Sequence, residues 1–313
     1  MLLEASPQAS TSIILYGADN KPLQLSDKID LPKSPFMGRI EPINLSERIL
    51  LVGSNLLADL HEVQEVIVNA DSRLVLASVF SASVSPESAA MRILGNVAEA
   101  ALVRRCQDLK INRIWATIAQ RGERRVRASD DYIPIGTALL TTSMKYPTKY
   151  QPNDGQRDIV WVSRSSPHVY LLALHQGKRT GNHAGLQIKV SSNGLQYITQ
   201  ILANSEFEVP LVYFDLEGDF EAVRDTVMTR VGRMPPEAAE KKARIIKSVQ
   251  NMYRGSDIDS QMHEDLLHYR HILTRIIRNE ICLADLVAHP DTKAAATILA
   301  AEDRPGTVVP VIN

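Results

Sequence analysis

The stretch GLQIKVS, residues 185 to 191, decides how the middle of this 313-residue chain is interpreted. Its alternating apolar residues predict a β-strand, in which successive side chains point to opposite faces of a sheet. Leu186, Ile188 and Val190 would then share one face, and Gln187 and Lys189 the other. Two long polar side chains that project together from a core strand indicate either a solvent-exposed strand face or a functional site.

The composition is that of an ordinary soluble globular protein, with 44% hydrophobic and 23% charged residues. A formal net charge of −1 argues against a globally basic nucleic-acid binder, although a local basic patch is compatible with it. The apolar runs are too short to span a bilayer, and the N-terminal segment lacks the features of a signal peptide. Cys106 and Cys282 suggest no disulfide framework, so we expect a cytoplasmic protein without membrane contact.

Further strands are predicted on either side of this stretch. DIVWV (158–162) and VPLVYFDL (209–216) are short apolar segments of this kind, and NGLQYITQILAN (193–204) is predicted to be a helix. Strands that alternate with helices indicate an α/β core. After residue 235 the chain becomes charged and periodic, which predicts a helical region.

The clearest helix follows Ser85. Ser85 is a favourable N-cap, Pro86 suits the first helical position, and Glu87 places an acid in the first turn. Apolar residues then recur at spacings of three and four as far as Leu109. We therefore expect this helix to end near residues 110 to 112.

Three regions are predicted along the chain: a β-rich N-terminal region (1–85), an α/β core (86–234) and a helical C-terminal region (235–313). Short segments inside them give weaker patterns. Strands are predicted for TSIILYGADNKPLQL (11–25, a hairpin), RILLVGS (48–54), RIWATIAQ (113–120) and GTALLTT (136–142), and a glycine-rich loop for GKRTGNHAG (177–185).

Four polar residues lie where a buried core would not favour them. Glu99 sits at the edge of the apolar stripe of the helix that follows Ser85, Asp158 opens the strand DIVWV, and Gln187 and Lys189 follow in the next core strand. Carboxylate and amide oxygens bind hard divalent cations, which stabilise the charge that builds on a phosphoryl group under attack. A neighbouring lysine adds a positive charge and a hydrogen-bond donor.

In this order, the segments GNVAEAALVRRC (95–106), QRDIVWV (156–162) and GLQIKVS resemble the core motifs of the PD-(D/E)xK nuclease superfamily, which includes restriction endonucleases and Holliday-junction resolvases. The resemblance covers roughly residues 88 to 230. It implies a restriction-endonuclease-like α/β core, a mixed β-sheet flanked by helices. It also implies a metal-dependent endonuclease that hydrolyses DNA with Mg²⁺ or Mn²⁺, with RNA left open as a substrate, in restriction or anti-phage defence.

Carried over to this chain, the resemblance makes Asp158 the main metal ligand, Gln187 the second ligand and Lys189 the residue that positions the attacking water. Glu99 would be the auxiliary helix carboxylate that some members use, also toward the metal. Two positions depart from the family pattern: Arg157 replaces the proline, and Gln187 replaces an acid. The Gln-x-Lys form is similar to that of Mrr-type restriction enzymes, but a neutral amide weakens metal affinity unless Glu99 supplies a charge.

Each of these residues has a plainer interpretation. Gln187 and Lys189 would belong to a solvated strand face, Asp158 to a turn after NDGQ, and Glu99 to a solvated helix flank. At the level of the whole protein, the alternative to an enzyme is a nuclease-like fold that has lost activity and serves as a nucleic-acid-binding or assembly subunit. A purely structural interaction protein would be favoured if Lys189 faced open solvent away from Asp158.

Basic residues are concentrated in parts of the chain, and phosphate contacts and solvated loops are equally compatible with them. Lysines also alternate with tyrosines in MKYPTKYQ (144–151), a weak indication of nucleic-acid binding. The C-terminal helices offer a candidate surface for a homo-oligomer or a partner subunit. The residues considered for nucleic-acid binding are Arg121, Arg124, Arg125, Arg127, Lys178 and Arg179, and the basic residues that precede them are Arg104, Arg105, Lys110 and Arg113.

Overall fold

The computed structural model describes residues 45–70, 73–78, 80, 83–121, 129–175, 178–204, 207 and 209–287, with side chains from Val52 onward. The hairpin predicted at 11–25 and the last residues of the chain lie outside this part. In the part that the structure describes, no helix is both long enough and apolar enough to cross a membrane.

The strands form one central sheet and two small hairpins. They are β1 (Val66–Val68), β2 (Leu74–Leu76), β3 (Tyr132–Gly136), β4 (Ile159–Ser163), β5 (Leu172–His175), β6 (Lys178–His183), β7 (Gly185–Ser191), β8 (Leu211–Asp215) and β9 (Met252–Arg254). The central sheet has the order β3-β4-β7-β8-β9, whereas β1 pairs with β2 and β5 with β6. Antiparallel pairing joins β3, β4 and β7, and parallel pairing joins β7, β8 and β9, so the sheet is mixed.

Helices flank both faces of this sheet. They are α1 (Leu45–Glu62), α2 (Pro86–Arg105), α3 (Leu109–Ala119), α4 (Leu140–Lys145), α5 (Gly194–Asn204), α6 (Phe220–Gly232), α7 (Ala239–Gln250), α8 (Gly255–Ile258) and α9 (Ser260–Ile277). The described chain is therefore a mixed α/β protein with a five-stranded mixed sheet between helices.

Two hydrophobic layers follow from the alternation of the strands. Leu186, Ile188 and Val190 of β7 pack into the larger layer, together with residues of α1, α2 and α9. On the opposite face, Leu211 and Tyr213 of β8 pack with α5, α6 and α7. The apolar side of β7 thus faces α2, and its polar side chains project away from that layer.

Several predicted elements are confirmed. β4, β7 and β8 lie in the segments predicted as core strands, and α5 occupies 194–204. α2 begins at Pro86 with Ser85 as its N-cap, and the Ser85 side chain accepts a hydrogen bond from the backbone N–H of Ser88. The helix ends a few residues earlier than its periodicity predicts, because Asp108 starts a new helix.

Four local predictions are wrong. The segment 113–120 belongs to α3, since the Asp108 side chain accepts hydrogen bonds from the backbone N–H groups of Lys110 and Ile111 and starts a helix there. Residues 48–54 lie inside α1, and 136–142 runs from the end of β3 into α4. The expected loop 177–185 contains β6, which pairs with β5.

One core strand gives no clear sequence signal. β3 contains Pro134, which lacks an N–H group for a sheet ladder, and β3 is an edge strand of the central sheet. A proline is tolerated at such an edge because only one neighbouring strand needs hydrogen bonds.

The region predicted to be helical, 235–313, contributes to the same core. β9 is the strand at the far edge of the central sheet, and α9 packs against α2. The three-region division stays a prediction, but the described C-terminal elements pack within the fold around the sheet.

A buried ion pair joins the helices behind the sheet. The Nε and Nη2 groups of Arg104 in α2 each donate a hydrogen bond of 2.8 Å to the carboxylate of Asp59 in α1. The same Nη2 group lies 3.1 Å from the hydroxyl of Tyr269 in α9. Burial raises the pKa of Asp59, and the charge of Arg104 opposes that rise. One charged cluster therefore links α1, α2 and α9.

We predict that Asp59→Ala lowers the free energy of unfolding by about 3 to 5 kcal/mol, because it leaves a mostly buried guanidinium without its carboxylate. Urea unfolding followed by circular dichroism would measure this. Glu221→Ala, which removes an exposed pair with Arg224, is the control and should cost about 0 to 1 kcal/mol. A loss in Asp59→Ala as small as in the control would contradict the prediction.

Candidate functional site

The candidate site lies where β4 and β7 separate. These strands pair over only two positions, Ile159 with Leu186 and Val160 with Gly185. Just outside this pairing, the backbone N–H of Asp158 donates to the carbonyl of Leu186 at 2.9 Å. The backbone N–H of Ile188 then donates to Asp158 Oδ2 at 2.6 Å. The Asp158 carboxylate therefore accepts the hydrogen bond that a backbone carbonyl of a neighbouring strand would otherwise accept.

Gln187 is buried beside this carboxylate, with 3% of its surface exposed. Its Nε2 group lies 2.8 Å from Oδ1 and 2.7 Å from Oδ2 of Asp158 and donates to both. Its other amide atom, Oε1, is buried and accepts no hydrogen bond within the described part of the chain. Gln187 thus satisfies Asp158 while leaving its own carbonyl oxygen without a donor.

Lys189 completes the row on the polar face of β7. Its Nζ atom lies 3.6 Å from Asp158 Oδ2, and 22% of its side chain is exposed to solvent. The ammonium group therefore faces Asp158, and a solvated strand face does not describe this pair of residues. The structure brings Asp158, Gln187 and Lys189 together as a single cluster.

Glu99 lies on α2, which packs against the apolar face of β7, and the charges of Asp158 and Lys189 act on its carboxyl group. Burial and the nearby charge of Asp158 raise the pKa of Glu99 to about 9, and Lys189 only partly opposes the rise. Burial also raises the pKa of Asp158, but Lys189, the N–H of Ile188 and the Gln187 amide hold it down. Asp158 is therefore the stronger acid of the two, and Glu99 retains its proton at neutral pH.

The donor set is compatible with a hard divalent cation. It consists of the Asp158 and Glu99 carboxyl groups and the Gln187 Oε1 atom, and Mg²⁺ prefers oxygen ligands of these kinds. A cation would satisfy the buried Oε1 atom, which has no hydrogen-bond donor, and it would displace the proton held by Glu99. Because Nε2 now faces Asp158, the amide would have to turn over for Oε1 to share a cation with that carboxylate.

The site has fewer acids than a carboxylate-rich metal centre. Among the described residues, no group of three or more His, Cys, Asp or Glu side chains is placed to hold a metal ion. Any cation here would depend on the neutral Gln187 as its third side-chain ligand. The Gln187 position would then determine the metal affinity of such a site.

Some of the basic residues form ion pairs within the fold, and others are exposed. Arg104, Arg105 and Arg113 form ion pairs with Asp59, Asp259 and Asp130, so their charges are used inside the fold. Lys178 and Arg179 are exposed on β6, and Arg121 lies at the end of α3 with a positive φ of 67°. Arg124, Arg125 and Arg127 lie outside the described residues. Of the residues considered for nucleic-acid binding, the exposed ones in the described part of the chain are therefore Lys178 and Arg179 on the β5–β6 hairpin.

The helix α9 has no free apolar face for a partner subunit. Its residues Ile272, Leu273 and Ile276 are buried in the larger hydrophobic layer of the same chain. Two arginines of this C-terminal region also bond within the chain, Arg270 to Glu217 and Arg278 to Glu87. The sequence pattern that suggested a partner contact is explained by internal packing.

A small cavity lined by Arg157, the residue directly before Asp158, was not anticipated from the sequence. It has a volume of about 160 Å³, and its lining residues are Arg157, Gly181, Asn182, His183 and Val209. These residues come from the start of β4, from β6 and from the segment before β8. Only Arg157, directly before Asp158, carried a signal, since it stands where the family pattern has proline.

Comparisons of the chain with protein-family models, with curated proteins and with solved structures found no match. The chemistry of the site must therefore be argued from its own residues.

We predict that Glu99→Gln stabilises the metal-free protein, and more so at pH 8 than at pH 5. The folded-state pKa of Glu99 is raised to about 9, so the folded protein holds a proton that the unfolded chain releases near its ordinary pKa. The stability of the parent therefore falls as the pH rises through this window, whereas the neutral glutamine avoids the loss. The difference should grow by about 1 kcal/mol or more.

Urea unfolding in EDTA at pH 5, 6.5 and 8 would measure this difference. Glu240→Gln, at an exposed position of α7, is the matched control and should show no such trend. A Glu99→Gln effect that is the same at all three pH values would show that Glu99 is ionised in the folded protein.

Proposed function

We propose that this protein is a metal-dependent nuclease that hydrolyses phosphodiester bonds of DNA, with a restriction-endonuclease-like core. The observation that carries the proposal is the convergence of Asp158, Gln187 and Lys189 at the point where β4 and β7 separate, with Glu99 beside them. The sequence predicts these residues from the order of their motifs, although Asp158 and Lys189 are separated by some thirty residues and Glu99 lies further away still. Their proximity supports the proposal.

In the proposed site, Asp158, Glu99 and the Gln187 carbonyl oxygen would hold Mg²⁺ or Mn²⁺. The cation supplies Lewis-acid stabilisation of the negative charge that develops on the phosphoryl oxygens. Its positive charge would also favour the ionised form of Glu99, whose pKa is raised by burial and, to a lesser extent, by the charge of Asp158.

Lys189 has the second role. Its ammonium group is held 3.6 Å from Asp158 Oδ2 and is partly exposed, so it can reach both the carboxylate and a substrate arriving from solvent. There it would donate a hydrogen bond to the attacking water or to the phosphoryl oxygen. Water adds to phosphorus, one P–O ester bond breaks, and a phosphomonoester and a hydroxyl end are formed.

The choice of DNA, and a role in restriction or defence against phage, rest on the resemblance of the motifs to the PD-(D/E)xK superfamily. The exposed Lys178 and Arg179 on the hairpin next to β7 are compatible with a polyanionic substrate of either kind, DNA or RNA.

A second function is favoured by one specific observation. The Gln187 amide donates to both oxygens of Asp158, so the carboxylate is satisfied without any metal. This arrangement suits a nuclease-like fold that has lost catalysis and serves as a nucleic-acid-binding or assembly subunit.

We predict that the protein cuts plasmid DNA in the presence of Mg²⁺ or Mn²⁺, and that Asp158→Ala and Lys189→Ala each lower the rate by at least about 100-fold. Asp158→Ala removes the main ligand, and Lys189→Ala removes the donor to the water or phosphate. Conversion of supercoiled plasmid, with EDTA as a blank, would measure the rates.

Lys241→Ala, an exposed lysine of α7, is the control and should cut as the parent does. A parent that binds DNA but does not cut it with either metal would overturn the proposal in favour of the binding subunit. Cutting that survives both substitutions would place the catalytic site elsewhere.

We predict that Gln187→Glu makes the protein less stable in EDTA and more responsive to Mg²⁺ than the parent. In the absence of metal, the new carboxylate faces Asp158 without the two amide hydrogen bonds. With metal, it supplies a charge worth about 4 kcal/mol at contact in a medium of intermediate dielectric. Melting temperature against Mg²⁺ concentration would measure the shift, and equal shifts in parent and variant would show that Gln187 does not face a metal.

A further inference from the structure

Two basic side chains, those of Arg157 and His183, line the cavity. Arg157 is directly before Asp158 in the chain, and its side chain lies along β7, where a Cβ atom at Gly185 would meet its Cγ and Cδ at 3.4 Å. Its Nε group donates a long hydrogen bond of 3.3 Å to Asp154. Within the described residues, its Nη groups make no hydrogen bond, so these donors are available to the cavity.

His183 lines the same cavity and is fixed by stacking. Its ring lies on the ring of Tyr170, with centroids 3.8 Å apart and an interplanar angle of 10°. The Nζ atom of Lys149 also lies 3.8 Å from the Tyr170 centroid. Because a ring has two faces, we assign His183 to one and Lys149 to the other, so Tyr170 orients two basic groups and offers no face to a nucleobase.

The charges around His183 favour an anion. Burial and the positive charges of Arg157 and Lys149 lower the pKa of His183. Asp154 lies 3.3 Å from Arg157 and offsets part of the arginine charge. A negative group in the cavity would be attracted by Arg157 and Lys149 together, and would favour the protonated imidazole of His183 as a third donor.

We propose that this cavity binds a backbone phosphate of the DNA strand, adjacent to the phosphate that is cleaved, through Arg157 and His183. The inference rests on the proposed nuclease function and adds a positioning contact to it. A volume of about 160 Å³ exceeds that of one water molecule, about 30 Å³, but is below the roughly 300 to 1,000 Å³ of typical small-molecule sites. A single phosphate group of a polymer suits that size better than a whole small ligand.

The contact would be independent of base sequence. Arginine and histidine donors recognise phosphate oxygens, which carry no sequence information, and the Tyr170 ring is already covered on both sides. The cavity would therefore fix the register of the strand relative to Asp158 and Lys189, and sequence preference would arise elsewhere.

The test is DNA binding in EDTA, where no cleavage occurs. A fluorescent duplex without terminal phosphates would be titrated with the parent, Arg157→Gln and His183→Ala, and anisotropy would give the affinity at several salt concentrations. We expect each variant to bind at least about tenfold more weakly, the loss typical of a charge-assisted hydrogen bond. The slope of log affinity against log salt should fall by about 1 per contact removed.

Three controls separate the contact from folding. His175→Ala removes an exposed histidine of the same hairpin, and Lys241→Ala an exposed lysine of α7; both should bind as the parent does. Tyr170→Phe keeps the stacked ring and should also retain the affinity. Thermal melts would confirm that each variant is folded.

The outcomes are distinct for the two proposals. Parent-like affinity and salt slope in both Arg157→Gln and His183→Ala would overturn the phosphate site even if the parent cuts DNA. Weaker binding in these variants, with no cutting by the parent in Mg²⁺ or Mn²⁺, would support the phosphate site and overturn the nuclease. A parent that neither binds DNA in EDTA nor cuts it with Mg²⁺ or Mn²⁺ would overturn both.

Discussion

The hydrogen bond from the backbone of Ile188 to the carboxylate of Asp158 is the interaction on which the site depends. β7 is paired on one side with β8 along its length, but on the other side with β4 over only two positions. An unpaired N–H at that edge would be costly in a buried sheet, and Asp158 satisfies it with a side chain. The carboxylate is thereby fixed at the point where the two strands separate and solvent can enter.

Placing a charge there has consequences for its neighbours. A buried carboxylate needs donors, and Gln187, Ile188 and Lys189 provide them from one strand. Burial, together with the charge of Asp158, raises the pKa of Glu99, so this second acid keeps its proton. The metal-free cluster then contains one carboxylate, one ammonium group and one neutral acid, and its net charge is close to zero. A cluster with so little net charge is tolerated inside a fold.

The sequence predicts the elements whose patterns are strong and local. β7, β4 and α2 follow from alternation, apolar runs and capping at Ser85, and the order of Glu99, Asp158, Gln187 and Lys189 identifies the candidate site. The strand predicted at 113–120 fails because Ile114, Thr117 and Ile118 favour a strand locally, whereas the Asp108 cap and the burial of Trp115 and Ala116 favour α3. The stack of His183 on Tyr170 and the partners of Arg104 were not predictable, since they join segments distant in sequence and no local pattern marks them.

Gln187 has opposite effects on the stability of the metal-free site and on its affinity for a cation. An acid at that position would place a third carboxyl group beside Asp158 and Glu99, with a single lysine to oppose them, and the metal-free protein would bear the repulsion. The amide removes that repulsion and adds two hydrogen bonds to Asp158. An amide at this position would also give a cation one charged ligand fewer than an acid would, and it would have to turn over before its oxygen could bind. A nuclease built this way would be stable without metal and would need a higher metal concentration, or the added negative charge of a bound phosphate, to assemble its active form.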